Sequence, residues 1–344
     1  MQFSSQIINW YLEFKRDLPW RSTSNPYYIW LSEIILQQTQ VKQGLPYYER
    51  FVKQFPNVES LANAKEEEVL KLWQGLGYYS RARNLHFAAK QISQNGNFPD
   101  NYKDILNLKG VGDYTAAAIA SFAYKLPYAV VDGNVFRLLS RVYGIDLAIN
   151  STEGKKYFSK LANSLIDEKR PDTHNQAIME IGAIICKPKN PHCGKCPLSD
   201  ECVAFMSNTA ENYPVKIKKN ESKTLYFDYF FFKSDKKTLV NKRTEKGIWM
   251  NLFELPLIES SEKKSEENML KNSEFQKWTK DIDYKIQSIK EIKHILSHRN
   301  IYARFWEINC DNLPENHSFT TLKLQDLSTI AVPRLIEKYM NLLN

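Results

Sequence analysis

The sequence predicts two domains, an all-α first half followed by an α+β second half, and three observations carry that prediction. From Met1 to about Met206 apolar residues recur at three- and four-residue intervals, with breaks at Asn25-Pro26, Phe55-Pro56, Phe98-Pro99 and Leu126-Pro127, the period and punctuation of successive helices. The stretch TAENYPVKIKKNESK from Thr209 combines Pro214 with a crowd of lysines, which is how a solvated linker reads. Beyond it, LYFDYFFFK and the residues from Ile301 to Ile308 are aromatic and β-branched, as strands are. The expected boundaries are a helical domain over 1–208, a basic linker over 209–224 and an α+β domain over 225–344, with Glu259 to Asn272 a polar loop. At 344 residues the chain exceeds what one core usually supports.

The formal net charge of +8 suits a polyanionic partner, because Lys and Arg that neutralise phosphates release condensed counterions. No apolar run reaches the roughly 18 to 20 residues of a membrane span. The start MQFSSQIINWYLEFKRD lacks a basic n-region and a small-residue cleavage site, so a cytoplasmic protein without a membrane partner is expected. Of the five cysteines, Cys310 stands alone as a core thiol, while four fall in Cys186-KPKNPH-Cys193-GK-Cys196-PLSDE-Cys202. Four soft thiolates in one intracellular loop read as metal binding, and softness alone fits tetrahedral zinc as well as an iron-sulfur cluster. Zinc sites usually set two close cysteines a dozen or more residues from a second pair, unlike this six-two-five spacing.

Leu108-Lys109-Gly110-Val111-Gly112 precedes Asp113-Tyr114-Thr115 and the helix-favouring run AAAIASFAY. Two glycines permit a tight turn with positive φ and close backbone approach, and the free N–H groups opening the next helix can meet a phosphate. Two carboxylates then stand out. Glu33, in Tyr28-IWLSEIILQQTQ, lies on a helical wheel between an Ile29/Leu36 edge and a Trp30/Ile34 edge, where desolvation raises a carboxyl pKa and keeps a general acid protonated near neutrality. Asp132, in Val130-Val131-Asp132-Gly133-Asn134, opens a helix, where the macrodipole and free N–H groups favour the anion.

The cysteine spacing, the Gly110/Gly112 hairpin and the following acid, in that order, resemble the endonuclease III and MutY glycosylases, and the second half, through LVNKRTEKGIWMNLFELP and the later Ile295-Leu296-Ser297-His298, resembles the Nudix-like domain of the MutY family. The resemblance implies an all-α helix-hairpin-helix glycosylase domain (hairpin 108–124) with an iron-sulfur loop (186–202), plus a C-terminal α+β Nudix-like domain. It implies a 4Fe-4S cluster on Cys186, Cys193, Cys196 and Cys202, a structural staple whose Lys187, Lys189 and Lys195 meet phosphates. Gly110 and Gly112 would hold DNA phosphate. Bifunctional relatives carry a lysine nucleophile where this chain has Tyr114; tyrosine forms no imine, so hydrolysis without strand cleavage is expected.

Excising adenine needs an acid to protonate the base and an anion to support an oxocarbenium-like sugar. Glu33 is expected in the first role. Asp132 is expected in the second, by supporting the cation, bonding to it transiently or orienting water. By resemblance, Tyr114 and Asn134 share their pocket and Arg21, Leu36 and Gln176 contact the flipped adenine. Gln37-Gln38-Thr39 and Leu76-Gly77-Tyr78-Tyr79 suit wedging into the vacated stack, with Gln38 and Tyr78 near the orphaned base. That base is 8-oxoguanine or guanine in the family, read by Ser297 and His298; Leu296 stands where relatives usually have phenylalanine. ELPLIESSEKKSEEN lacks the glycine-led glutamate box of a catalytic Nudix hydrolase. The expected partner is duplex DNA with A:8-oxoG or A:G mispairs, bound by a monomer in a bacterial nucleoid. Thymine-mismatch excision is the nearest alternative, but such an enzyme would not be expected to carry the second domain with Ser297 and His298.

Overall fold

The computed structural model describes residues 2–217, 222–315 and 318–343; residues 218–221 of the expected linker lie outside these. The chain divides into two compact units, the first formed by residues up to 63 and from 84 to the linker, the second by residues 64–83 and those beyond the linker. No helix among the described residues is long and apolar enough to cross a membrane.

The first unit is helical. It contains α1 (Gln2–Phe14), α2 (Pro26–Leu36), α3 (Val41–Gln54) and α4 (Val58–Asn63); α5 (Glu66–Trp73) belongs to the second unit, and α6 (Ser80–Asn95) runs from the second into the first. Then come α7 (Tyr102–Leu106), α8 (Asp113–Tyr124), α9 (Gly133–Tyr143), α10 (Thr152–Leu165), α11 (Pro171–Ile184) and the short α12 (Val203–Met206). Asn25 starts α2 by accepting from the Tyr27 N–H at 2.9 Å, and Pro26 takes the first helical position, where a missing N–H costs nothing. Residues Ile29 through Ile35 of α2 are all buried, so the helix threads the core and carries Glu33 with it. Asn175 on α11 pins the approach to α9: its Nδ2 donates to the Tyr128 carbonyl at 2.8 Å and its Oδ1 accepts from the Val130 N–H at 3.1 Å.

The second unit is built on a mixed sheet of β1 (Lys223–Ser234), β2 (Lys237–Lys242), β3 (Phe253–Glu254), β4 (Leu257–Ser260), β5 (Tyr284–Leu296), β6 (Arg299–Cys310) and β7 (Thr320–Lys323). Its main path runs β3-β2-β1-β6-β5, with β4 on β1 and β7 on β2; β1 and β6 are parallel, and β5 and β6 form an antiparallel hairpin. Alternation along β1 puts Phe230 and Phe232 on one face with Trp306, Phe275 and Trp278, and Tyr229 on the other, stacked on Phe305 at 5.0 Å, which stacks on Tyr339 at 4.1 Å. The first face is covered by α13 (Glu266–Leu270) and α14 (Ser273–Thr279), and Tyr339 comes from α15 (Arg334–Met340). The polar stretch from Glu259 to Asn272, expected as a loop, therefore holds the end of β4 and all of α13. Met269 is fully buried and Ser265 caps the helix, so one apolar anchor and one cap suffice for a short helix.

Residues 64–83 join the second unit through polar contacts that the sequence reading did not anticipate. Lys71 Nζ donates to the Ile330 carbonyl at 3.0 Å, Tyr79 Oη to the Val332 carbonyl at 3.2 Å, and Arg83 Nη1 to the Met250 carbonyl at 2.7 Å.

Candidate active site

Helices α2, α8, α9 and α11 bring the expected catalytic groups of the first unit together. Glu33 is 7 % exposed, and Tyr114, from the first turn of α8, donates its hydroxyl to Glu33 Oε2 at 2.8 Å. Burial pushes the Glu33 carboxyl up to about 7; the Tyr114 hydrogen bond opposes the shift, the charge of Asp132 adds to it and that of Arg21 opposes it. The same surroundings hold the Tyr114 phenol well above its ordinary value, burial first and Glu33 second. Met179 Sδ, on α11, lies 3.5 Å from the Tyr114 hydroxyl.

Asp132 is the N-cap of α9. Its Oδ1 accepts from the Asn134 and Val135 N–H groups, both at 2.8 Å, and its Oδ2 from Asn134 Nδ2 at 2.7 Å. The helix terminus favours its anion, as expected, but burial is the larger influence and raises the carboxyl above its ordinary range. Asn134 is seated by Arg137, whose Nη2 donates to Asn134 Oδ1 at 2.9 Å and to the Gly182 carbonyl at 2.6 Å. Gly182 has to be glycine: a Cβ there would fall 2.6 Å from Asn134 Cβ.

Arg21 and Gln176 meet directly, Arg21 Nε donating to Gln176 Oε1 at 3.1 Å. Sequence reasoning missed what holds them. Glu180, one turn along α11 from Gln176 and 1 % exposed, binds Arg21 Nη2 at 2.7 Å and Arg16 Nη2 at 2.6 Å. A helical Gln-x-x-Met-Glu segment beside the expected adenine contact was the available signal. Leu36 ends α2, half-buried and three residues from Glu33; Thr39, also half-buried, follows it, and Gln38 between them is exposed with φ 55°.

At the hairpin, Gly110 has φ 80°, and a Cβ there would lie 2.7 Å from Asn84 Cβ. Gly112 is extended, with φ −107° and open space where a Cβ would go, so of the two expected constraints only the first is steric. Among the described residues no side chain caps α8, which leaves its first N–H groups available to an anion.

The four cysteines surround one cavity, with Leu138, Val142, Ile185 and Phe205 in its wall. Burial pushes the Cys196 thiol up to about 12, and Cys186, Cys202 and Cys193 add to the shift, so all four sulfurs feel one another. Arg141 Nη1 lies 3.3 Å from Cys186 Sγ, a donor suited to an anionic sulfur. Four mutually close thiols, an apolar wall and a guanidinium fit a cluster that draws the thiols into their anionic form.

The other expected residues lie in the second unit. Ser297 and His298 form the two-residue turn between β5 and β6, with Ser297 Oγ 3.2 Å from His298 Nδ1. They line a cleft of about 440 Å³ with Tyr78, Leu296, Ile248, Trp249 and Arg83. Tyr78 is 49 % exposed and has φ 48°, whereas Leu76 is 6 % exposed and outside the cleft lining. Ile248, Trp249 and Arg83 were not singled out from the sequence as site residues, although Ile248 and Trp249 lie within LVNKRTEKGIWMNLFELP.

Residues 31–164 match the HhH-GPD superfamily of base excision DNA repair proteins, residues 186–202 the iron-sulfur binding domain of endonuclease III, and residues 229–342 the NUDIX domain. A thermostable thymine-DNA glycosylase of known structure is 32 % identical, with a TM-score of 0.55, over 60 % of this chain and 95 % of its own. The adenine DNA glycosylase of Buchnera aphidicola subsp. Baizongia pistaciae is 38 % identical over 87 % of this chain and 84 % of its own, and that of Buchnera aphidicola subsp. Acyrthosiphon pisum 35 % over 98 % and 96 %. The chain is thus a helix-hairpin-helix base-excision glycosylase with a 4Fe-4S loop and a Nudix-like domain, and it belongs to the adenine DNA glycosylase family.

Proposed function

We propose that this glycosylase removes adenine paired with 8-oxoguanine or guanine in duplex DNA, by hydrolysis and without cutting the strand. The observation that carries the reading is the pairing of Glu33, poised at about 7 beneath the Tyr114 hydroxyl, with Asp132 fixed at the start of α9. Adenine is a poor leaving group, so Glu33 protonates a ring nitrogen as the glycosidic bond breaks. The carboxylate left behind keeps the Tyr114 hydrogen bond. Asp132, held by three donors on one side, presents its charge to the oxocarbenium-like sugar. Water adds to the anomeric carbon of that cation and gives up a proton, and because Tyr114 has no amine for an imine the product is an abasic site in an intact strand.

Arg21, Gln176 and Leu36 line the adenine side of this pocket and Asn134 its sugar side. Gly110 and Gly112 take a phosphate at the N-terminus of α8. Cys186, Cys193, Cys196 and Cys202 would hold the 4Fe-4S cluster, which supplies structural order to a loop bearing Lys187, Lys189 and Lys195. Lesion reading falls to the second unit, whose cleft gathers Tyr78, Leu296, Ser297 and His298; Leu76, buried, packs in the same unit. Gln38 and Thr39 enter the stack from the end of α2. Gln38, just past the end of α2, and Tyr78 both have positive φ, a backbone conformation that non-glycine residues adopt infrequently.

The test is a pair of duplexes, A opposite 8-oxoguanine and T opposite G, assayed with and without alkali. Loss of the adenine strand only after alkali is expected. Breakage before alkali would refute the monofunctional assignment, and cleavage of the thymine strand alone would refute the substrate.

A further inference from the structure

The clamp behind Arg21 has no part in the chemistry above, yet it is fully built. Glu180 Oε1 accepts from the Arg16 N–H at 3.0 Å and from Arg16 Nε at 2.8 Å, and Oε2 accepts from Arg16 Nη2 at 2.6 Å and Arg21 Nη2 at 2.7 Å. Burial works against the charged form, but the hydrogen bonds from Arg16 and Arg21 outweigh it and hold the carboxyl down at about 2. Arg21 is fixed again by Nη1, which donates to the Arg16 carbonyl at 3.0 Å, and its Nε is thereby aimed at Gln176.

That contact decides which way the Gln176 amide faces. A guanidinium has donors and no acceptor, so the atom that meets Arg21 Nε has to be the amide oxygen. With Oε1 engaged, Gln176 has its two Nε2 hydrogens left to offer. Met179 is three residues further along α11 on the same helix face, and its sulfur touches the Tyr114 hydroxyl beside Glu33, so this face borders the acid. Resting on the adenine-excision reading above, we infer that Glu180 is a positioning residue: acting through Arg21, it holds Gln176 with its amide hydrogens toward the flipped base. The pocket thus favours a base whose facing N1 carries a lone pair, as adenine's does, over one whose N1 carries a hydrogen.

Hypoxanthine provides the contrast, since it has N1–H where adenine has a bare N1. Single-turnover excision of each base opposite 8-oxoguanine is measured with the cluster-loaded full chain, wild type against Glu180→Gln, Glu180→Asp and Arg21→Lys. Glu180→Gln is expected to slow adenine excision and to narrow the adenine-to-hypoxanthine ratio by about tenfold, the size of one misplaced buried hydrogen bond. Glu180→Asp recovers part of the ratio, and Arg21→Lys, unable to reach both Glu180 and Gln176, narrows it as Glu180→Gln does. A folded Glu180→Gln that slows both bases equally would overturn the inference, leaving Glu180 purely structural. Should Glu180→Gln not fold, by melting and by the cluster's absorption, an unchanged ratio in Arg21→Lys overturns it instead. Failure of the wild type to excise adenine sinks the underlying reading; a normal wild type with an unmoved ratio sinks only this one.

Discussion

Glu33 on α2 and Glu180 on α11 are 7 % and 1 % exposed, yet one carboxyl sits at about 7 and the other at about 2. Burial raises both, so the difference lies in what replaces water. Glu33 receives one neutral phenol, whereas Glu180 receives four N–H donors from two arginines. Arg21 acts on both, in contact with Glu180 and at range on Glu33. A buried glutamate keeps its proton up to near neutrality where cations are kept at a distance, and is a rigid anion where they touch it. The two roles occur in one helical unit because α11 absorbs Arg21's strongest contact and leaves Glu33 only its weak field.

The largest expected effect breaks the first half of that comparison. Glu33→Gln should reduce adenine excision by about a thousandfold, within the range of a lost general acid, measured in single turnover with duplex affinity retained. Its effect on stability should have the opposite sense. The folded-state pKa of Glu33 lies above its unfolded value, so the stability its proton confers is full below about pH 4.5 and is lost as pH rises through about 7. Glu33→Gln should therefore match wild type near pH 5 and exceed it at pH 8 by up to about 3 kcal/mol, read from urea denaturation.

Glu180→Leu should do the reverse, costing about 3–5 kcal/mol at pH 7 because two guanidinium groups lose their buried partner. With the folded pKa lowered, that contribution is present above about pH 4.5 and fades as pH falls toward 2. Equal denaturation midpoints for Glu180→Leu and wild type at pH 7 would erase the contrast. A third expectation concerns rate: excision should decline as pH rises through about 7, where Glu33 loses its proton, and a profile flat from pH 6 to 9 would remove Glu33 as the acid.

Much of this was legible in the sequence. The three- and four-residue periodicity gave the helical half, the cysteine spacing gave the loop, and the apolar flanks of Glu33 foretold its burial. The Glu180 clamp was not legible, since Arg16 and Arg21 reach it across 164 and 159 residues and only the tertiary fold makes them neighbours. The same holds for α5, whose Lys71 meets Ile330 across 259 residues; amphipathic periodicity says which face is buried but not against what. Asp132 was half legible: its capping role follows from its place before α9, whereas the burial that raises its carboxyl comes from packing with no local signature.

The smallest expected effect moves the comparison to the second unit. Leu296 ends β5 half-buried, in the cleft that holds Tyr78, Trp249, Ser297 and His298. A leucine offers apolar area but no ring face, so the cleft keeps the polar turn and lacks a ring at position 296. Leu296→Phe should add about 1 kcal/mol of stacking and raise the preference for 8-oxoguanine over guanine opposite adenine by roughly fivefold, without altering the pH profile set by Glu33. Competition between the two duplexes measures it. An unmoved preference would mean that Ser297 and His298 carry the lesion contact alone; a shifted pH profile would mean that the cleft and the acid are coupled, and that the two sites are not the independent devices their separate chemistry makes them.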